Sequence, residues 1–501
     1  MRVTDLRAEY TTDLLGTQVA HPRLSWRIED AEAQSSYRIR AAVSEAALSA
    51  GDLLWDSGAV ASDATFDIAY GGPALKAMQR VWWTVEADGV VSDPAWFEAG
   101  LFSPEDWRGD WIEAEDEFAA ADRAAGVSWV WGEVSLDARP HAFRIDFDAP
   151  ADLVRAEMLV AGKDHLRGVW VNGAKSPLDW HFDWDTYLPF WGTLAPYEGE
   201  VRPGRNSVCA LVEADTQGFF PVDGGAFAAL IRLHRADGSI ERITGSAFRV
   251  MPDAPQGWTE PGFDAGGWAA VVPSTSWAQG DPRPSEPAML LRTGFDVLKP
   301  VASARLYATA LGTYDARING QKVSEAILAP EITVAKNHIL YQTHDVTDLI
   351  AQGENALGAV VGDGFYASPF GWRIERYGFG PAPRRFRAML RIDYADGTQD
   401  WVVTGPDWKI ATSPILKSEI YDGETFDARR IVPGWALPGF DASGWADVKI
   451  GAAPNAKLIA QTSPLLERNG VCRAVSVSEP VPGRFVFDFG QNFPGWVRIR
   501  A

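Results

Sequence analysis

Short runs in which apolar and polar residues alternate recur along the whole chain. Clear examples are residues 37–43, 81–86 and 484–489. A period of two directs successive side chains to opposite faces of an extended backbone, so this pattern predicts β-strands. Asn-Gly and Asp-Gly dipeptides, which tolerate the positive φ of tight hairpin turns, separate several of the runs. Antiparallel β-structure is therefore expected throughout.

One stretch occurs twice. Residues 258–271 and 435–448 share ten of fourteen residues at fixed spacing, including both tryptophans of each copy. The same features precede each copy in the same order: an Asn-Gly turn at Asn172 or Asn319, then a Gly-x-Asn turn, then an Ala-Asp-Gly turn. A match of this length and order indicates a duplicated β-unit.

The spacing of strands and turns divides the chain into four regions. Residues 1–108 predict a fibronectin III-like β-sandwich, 109–285 and 286–450 the two copies of a jelly-roll-like β-sandwich, and 451–501 the start of another β-sandwich. The fold class expected is thus all-β and multidomain. The two strands after residue 480 cannot bury a core by themselves, so we expect the chain to be the N-terminal portion of a longer protein.

Composition narrows the range of partners. The formal charge of −21 argues against nucleic acid or an anionic membrane surface, because both would repel the chain. The first residues lack an apolar leader and no stretch of about 18 apolar residues occurs, so a soluble, cytoplasmic protein is expected. Cys209 and Cys472 fall in different predicted domains, which predicts reduced thiols without a disulfide.

Aromatic and acidic residues are concentrated in residues 178–191. Most of the 22 tryptophans are expected to fill sandwich cores, but this segment offers a sugar-binding alternative. Aromatic faces bind the C–H side of a pyranose, and clustered carboxylates can bind Ca²⁺. The competing interpretation is a packed loop whose aspartates cap turns. The candidates are Asp179, Trp180, Trp184 and Trp191 for sugar, and Asp179, Asp183 and Asp185 for the metal.

A second group of candidates lies in the other copy of the duplicated unit. Asp363 follows a strand in a Gly-rich turn, and Trp372 lies shortly after it. Tyr421 and Glu424 precede Asp427 and Arg429. These four candidates, Asp363, Trp372, Tyr421 and Glu424, could contact sugar. The structural alternative is a bidentate arginine–carboxylate pair that holds the loop.

Several of these motifs, taken in order, resemble the N-terminal half of bacterial α-L-rhamnosidases of glycoside hydrolase family 78. The matching segments are residues 22–26, 37–39, 54–58, 319–320, 341–349, 362–366 (Gly-Asp-Gly-Phe-Tyr), 421–429 and 487–492 (Phe-Asp-Phe-Gly-Gln-Asn). The resemblance covers nearly the whole chain and is strongest from residue 286 to 500.

The resemblance implies β-sandwich domains that precede an (α/α)₆ catalytic barrel. Family members hydrolyse terminal α-L-rhamnose with inversion, using two carboxylic residues supplied by the barrel. No succession of amphipathic helices follows residue 450, so the barrel is expected to lie outside this chain. No catalytic residue can be assigned, and the 501-residue portion by itself is predicted to be inactive.

Three functions and one alternative enzyme family remain open from the sequence. The leading one is the supporting portion of an inverting α-L-rhamnosidase that acts on rhamnose-containing glycosides, requires no cofactor and leaves Ca²⁺ as an option. The alternative is a non-catalytic carbohydrate-binding accessory module. A third is an inert scaffold that mediates homodimer contacts. Another glycosidase family with leading β-sandwiches, such as the β-galactosidases, is the enzymatic alternative, but it does not explain residues 421–424.

Overall fold

The computed structural model describes residues 1–114, 121–122, 124–132, 139–162, 165–177, 194–214, 225–274, 282, 286–368, 383–420 and 423–498. Of these described residues, 48% lie in strands and 6% in helices, so the prediction of an all-β, multidomain fold is confirmed. Among the described residues, no helix has the length and apolar character needed to cross a membrane.

The first unit is a sandwich of a small and a large sheet. Its elements are β1 (Arg2–Ala8), β2 (Leu14–Thr17), β3 (Arg23–Glu29), β4 (Tyr37–Ala42), α1 (Glu45–Ala50), β5 (Trp55–Asp56), β6 (Ile68–Ala69), β7 (Arg80–Ala87), β8 (Val90–Val91), β9 (Ala95–Ala99) and a 3₁₀ turn (Pro104–Asp106). The sheet orders are β1-β3-β6 and β2-β9-β7-β4-β5, with β8 on β7. Every second residue of β7 is buried, so the alternation read from residues 81–86 corresponds to a core-facing side. Trp83 and Trp26 fill that core.

The second unit consists of two six-stranded sheets around one core. Its strands are β11 (Val130–Trp131), β12 (His141–Ala149), β13 (Leu153–Gly162), β14 (His165–Val171), β15 (Ala174–Lys175), β16 (Ala195–Tyr197), β17 (Gly204–Glu213), β18 (Phe227–Arg235), β19 (Ile240–Thr244), β20 (Arg249–Pro252), β21 (Ala269–Ala270) and β22 (Val272–Pro273), with a 3₁₀ turn at Gly245–Ala247. The sheet orders are β22-β11-β18-β13-β16, with β19 on β18, and β21-β20-β12-β17-β14-β15.

The third unit repeats this arrangement. Its elements are β23 (Met289–Val297), β24 (Val301–Leu311), β25 (Thr313–Ile318), β26 (Gln321–Lys322), β27 (His338–Asp345), a 3₁₀ turn (Thr347–Leu349), β28 (Gly353–Gly362), α2 (Gly364–Ala367), β29 (Arg385–Tyr394), β30 (Gln399–Val403), β31 (Lys409–Thr412), β32 (Ile415–Glu419), β33 (Gly423–Phe426), a 3₁₀ turn (Ala428–Arg430), β34 (Ala446–Asp447), β35 (Lys449–Gly451) and β36 (Lys457–Ala460). One sheet has the order β34-β31-β23-β28-β25-β26, which matches β21-β20-β12-β17-β14-β15 strand for strand.

The other sheet of the third unit contains a strand from much earlier in the chain. This strand, β10 (Trp111–Glu113), lies between β35 and β29 in the order β35-β10-β29-β24-β27-β36, with β30 on β29. From the sequence, residues 109–285 form one unit, whereas the structure pairs β10 with the third unit. All three of its side chains are buried, so no alternation distinguishes its partner. The second unit is therefore inserted between the first strand of the third unit and the rest of it.

Equivalent hydrogen bonds identify the duplication at atomic detail. Asn172 Nδ2 donates to Asn206 Oδ1 at 2.9 Å and the Ser207 amide donates to Asn172 Oδ1 at 2.8 Å. In the third unit Asn319 and Asn355 make the same contact at 2.8 Å, and the Ala356 amide donates to Asn319 at 2.9 Å. The Asn-Gly turns that revealed the repeat are thus tied to the next hairpin in the same way in both copies.

Two hairpins stand apart from these sandwiches. One pairs β32 with β33, and the other pairs β37 (Ser476–Val481) with β38 (Arg484–Asp488). Every residue of β37 and β38 is exposed, including Phe485 and Phe487. Residue 451 does not start a separate sheet in the structure, because β36 pairs in parallel with β27 of the third unit.

Candidate functional site

Most of the predicted sugar and metal ligands lie outside the described residues. These are Asp179, Trp180, Asp183, Trp184, Asp185, Trp191, Trp372 and Tyr421. Within the described part of the chain, no three His, Cys, Asp or Glu side chains form a group suited to a metal ion. The calcium hypothesis for residues 178–191 therefore stays a prediction.

Asp363 is described, and it is completely buried at the end of β28. Its Oδ1 lies 3.1 Å from Nη1 of Arg384, a side chain that is itself 3% exposed. Arg384 also donates through Nη2 to the Pro287 carbonyl at 2.8 Å. A buried pair with this many contacts holds the two chain segments together, which agrees with the structural interpretation of this motif.

Glu424 is exposed on β33, directly opposite Ser418 of β32. Ser418 in turn accepts a hydrogen bond from the Asp363 amide at 3.2 Å, so the structure brings the Asp363 and Glu424 segments into one neighbourhood. Beyond the hairpin, Arg429 donates to both oxygens of Asp427 at 2.8 and 2.9 Å. This is the bidentate pair expected from the sequence, and its hydrogen bonds lower the pKa of Asp427.

The structure reveals a cavity that sequence reasoning missed. It has a volume of about 510 Å³ and lies on the outer face of the sheet containing β12 and β17. The loop at residues 258–268, which we name the Trp loop, covers the rest of that face with a small apolar cluster around Trp268. The cavity is lined by Arg144, Ile145, Asp146, Asn172, Arg205, Asn206, Ser207, Ala247, Arg249 and residues 261–266.

Arg144 lines the cavity and is hydrogen-bonded to the Trp loop. Its side chain is fully buried and donates to both oxygens of Asp146, at 2.9 Å from Nε and 2.7 Å from Nη2. Nη1 donates to the carbonyls of Trp258 at 2.7 Å and Glu260 at 3.1 Å, both in the Trp loop. Burial opposes the charged form of Arg144, but the hydrogen bonds and charge interactions with Asp146 and Cys209 together outweigh it, and the pKa of Arg144 is raised.

Cys209 lies opposite Arg144 on β17, beneath the Trp loop. Burial raises the pKa of its thiol to about 12, so it carries no thiolate near neutral pH and is not a nucleophile. The cavity therefore offers hydrogen bonds and charge rather than covalent chemistry.

The third unit has the same loop and the same arginine. Arg292 donates to the carbonyls of Leu437 at 3.2 Å and Phe440 at 3.1 Å, in residues 435–445, the second Trp loop. Strand register gives the counterparts of the cavity residues: Asp146 lies opposite Ser207, and Gly294 lies opposite Ala356.

Three polar cavity residues of the second unit are thus absent from the third unit. Gly294 replaces Asp146, Ala356 replaces Ser207, and Glu354 replaces Arg205, as the strand registers show. Aligning the strands of the two copies would have exposed these differences. The sequence prediction of a sugar site rested instead on the aromatic residues concentrated in residues 178–191.

Two family models match the chain. An α-L-rhamnosidase N-terminal domain matches residues 299–469, and a Rha78A-like N-terminal immunoglobulin domain matches residues 3–103. Their combined extent leaves the second unit uncovered.

Comparisons with individual proteins also find α-L-rhamnosidases. An α-L-rhamnosidase from Streptomyces avermitilis is 36% identical over 526 residues, covering 100% of this chain and 50% of that protein. One from Formosa agariphila is 32% identical over 221 residues, covering 43% of this chain and 23% of its own length. The crystal structure of the S. avermitilis protein complexed with L-rhamnose superposes with a TM-score of 0.71 at 33% identity, covering 98% of this chain and 49% of that one.

Proposed function

We propose that this chain, which belongs to the α-L-rhamnosidases through its N-terminal β domains, forms the supporting portion of an inverting enzyme that removes terminal α-L-rhamnose. The observation that carries the proposal is the match to the S. avermitilis protein over the entire chain. The family resemblance drawn from the sequence motifs is confirmed. The chain spans half the length of that relative, and we assign hydrolysis to the whole protein rather than to these domains.

The carboxylates of the cavity do not suit the hydrolytic step. Inversion requires one carboxylic acid and one carboxylate placed roughly 6.5–9.5 Å apart around a water molecule. In the cavity, Asp146 accepts two hydrogen bonds from Arg144, and Asp264 accepts the Gly266 amide at 2.8 Å. Both carboxylates are engaged in holding the loop, so we place the acid and the base elsewhere in the protein.

Two structural features favour a supporting role. The first and third units share a buried junction in which the Leu101 amide donates to the Tyr341 hydroxyl at 2.7 Å. The hairpin β37–β38 and the residues after it present an apolar surface, with Phe487 and Trp496 at 58% and 64% exposure. Exposed apolar surfaces of this kind mark protein contacts, and we assign this one to the catalytic unit.

Hydrolysis of p-nitrophenyl α-L-rhamnoside tests the division of labour. The 501-residue chain is expected to release no p-nitrophenol above the buffer rate, with the S. avermitilis enzyme as positive control. A polypeptide that continues past Ala501 as its relatives do is expected to be active. Hydrolysis of this substrate by the 501-residue chain alone would refute the assignment of chemistry to another part of the protein.

The accessory carbohydrate-binding function rests on residues 178–191, which lie outside the described residues. It stays a prediction, as do Ca²⁺ binding, a homodimer and a cytoplasmic location. Calorimetry with L-rhamnose in the presence and absence of EDTA addresses the first two together.

A further inference from the structure

We propose that the cavity of the second unit binds an acidic saccharide unit, a sugar that carries a carboxylate. Its volume of about 510 Å³ falls within the range of pockets that hold small organic ligands. It lies on the outer face of the sheet that contains β12 and β17, and residues 261–266 of the Trp loop form part of its lining. The inference concerns binding and does not depend on hydrolysis by the whole protein.

The lining carries positive charge in a strongly acidic chain. Three arginines and two aspartates line the cavity, although the whole chain has a formal charge of −21. Arg144 is neutralised by Asp146, which leaves Arg205 and Arg249 against Asp264. Within the lining this is an excess of one positive charge, which favours an anion over a neutral ligand.

The two remaining arginines keep donors for a ligand. Arg205 has a side chain that is 66% exposed, and its one ion pair within the described residues is a 3.4 Å contact to Asp148, which is 73% exposed. Arg249 donates through Nη1 to the Trp268 carbonyl at a long 3.4 Å. A guanidinium presents two parallel N–H groups to a carboxylate, so a carboxylate is the anion that this geometry fits.

The remaining polar groups suit sugar hydroxyls. Ser207 is 2% exposed, and its Oγ has no hydrogen-bond partner among the described residues. A buried hydroxyl without a partner is unfavourable, so a ligand hydroxyl that pairs with it is stabilised. Asp146 is 21% exposed and has lone pairs beyond the two that Arg144 uses, so it can accept from a second hydroxyl.

The duplication provides an internal control. The third unit folds with the same strand order, and its Arg292 donates to its Trp loop as Arg144 does, although it has Gly294, Ala356 and Glu354 at the three positions. The sandwich and its Trp loop therefore do not require Asp146, Ser207 or Arg205. Since the fold does not explain these residues, their convergence on one cavity points to a ligand.

Calorimetry on the 501-residue chain tests the proposal. The ligands are D-glucuronate and D-galacturonate, with D-glucose, D-galactose, acetate and sulfate as separate probes. Heat is expected with at least one uronate, and binding should weaken at least tenfold with the neutral sugars and with the simple anions. Binding should also weaken with added salt, because the partly exposed Arg205 contributes through charge.

Two variants take their replacements from the other copy. R205E and S207A should each weaken uronate binding at least fivefold. Both keep the fold, because the third unit has Glu354 and Ala356 at these positions. The matched control is R202E, since Arg202 is 70% exposed, pairs with Glu200 and does not line the cavity. It should leave uronate affinity unchanged.

Four results would overturn the proposal, three of which concern the uronates and R205E. These are absence of heat with both uronates, equal affinity for a uronate and its neutral parent sugar, and equal affinity in R205E and the wild-type chain. Equal affinity for sulfate and a uronate would also reject it, because it would reduce the cavity to a simple anion site. Far-ultraviolet circular dichroism of each variant separates lost binding from lost structure.

Discussion

Replacing Glu98 by glutamine removes a charge at the centre of the junction between the first and third units. Glu98 is 4% exposed and lies on β9. Its carboxylate accepts from Arg305 of the third unit at 3.1 Å and pairs with Arg80 of the first unit at 2.7 Å. Arg305 is 2% exposed, so the substitution leaves a buried guanidinium without its main partner.

The expected loss follows from burial. Breaking a buried ion pair by removing one partner costs about 3–5 kcal/mol, because an uncompensated charge remains. Arg305 keeps a second carboxylate, Asp345, at 2.8 Å, so we expect the lower end, about 3 kcal/mol. The matched control is E86Q. Glu86 pairs with Arg40 at 3.0 Å with both side chains 32% exposed, and such partly exposed pairs contribute about 1 kcal/mol or less.

Urea unfolding followed by hydrogen exchange and mass spectrometry separates the two units. In the wild-type chain, peptides of β7 and β24 should lose protection over the same urea range, because the junction couples them. In E98Q, peptides of the first unit should lose protection at lower urea concentrations than peptides of the third unit. In E86Q, the two units should still lose protection over the same urea range. A shift in E98Q no larger than that in E86Q would show that the junction does not depend on this charge.

Two further predictions concern the buried His344 of the third unit and the arginines that bond to the two Trp loops, Arg144 and Arg292. Burial lowers the pKa of His344 to about 4. On acidification the unfolded chain therefore protonates this histidine before the folded chain does. The free energy of unfolding, at its full value above about pH 6.5, should fall by about 2 kcal/mol between pH 7 and pH 5. H344Q should flatten that pH dependence of the urea midpoint, and an unchanged slope would rule His344 out as its source. R144M should destabilise the second unit by about 2–3 kcal/mol, because Asp146 and two loop carbonyls lose their donor. R292M should cost less, because Arg292 makes no ion pair within the described residues and its Nε has no partner there; equal urea shifts in the two variants would contradict this.

The repeated units were predictable because their signals are local. The turn at Asn172 needs only a dipeptide with positive φ, and Asn319 repeats it; both residues adopt φ near 51°. The Trp loops were found by identity between residues 258–271 and 435–448. Such features depend on neighbours in sequence, so they can be read without knowing which strands pair.

The insertion and the cavity depend on pairing between distant segments. Ile112 has its partner Phe386 on a strand more than 270 residues away, and its three-residue strand carries no pattern that identifies this partner. Asp146 and Ser207 meet only because β12 and β17 pair in one register. Individually they are an ordinary aspartate and an ordinary serine, so the cavity emerges from topology rather than from a motif.

One of the three differences, Arg205 against Glu354, also changes how the Trp loop is attached to the sheet. In the third unit, Glu354 Oε1 accepts the amide of Gly439 in the Trp loop at 2.7 Å, which ties the loop to the sheet. The equivalent positions in the second unit are Arg205 and Gly262. A guanidinium only donates, so Arg205 cannot accept an amide hydrogen bond, and the loop has no such tie at this point. The R205E substitution should therefore remove a ligand donor and also restore the tie, and both effects act against uronate binding.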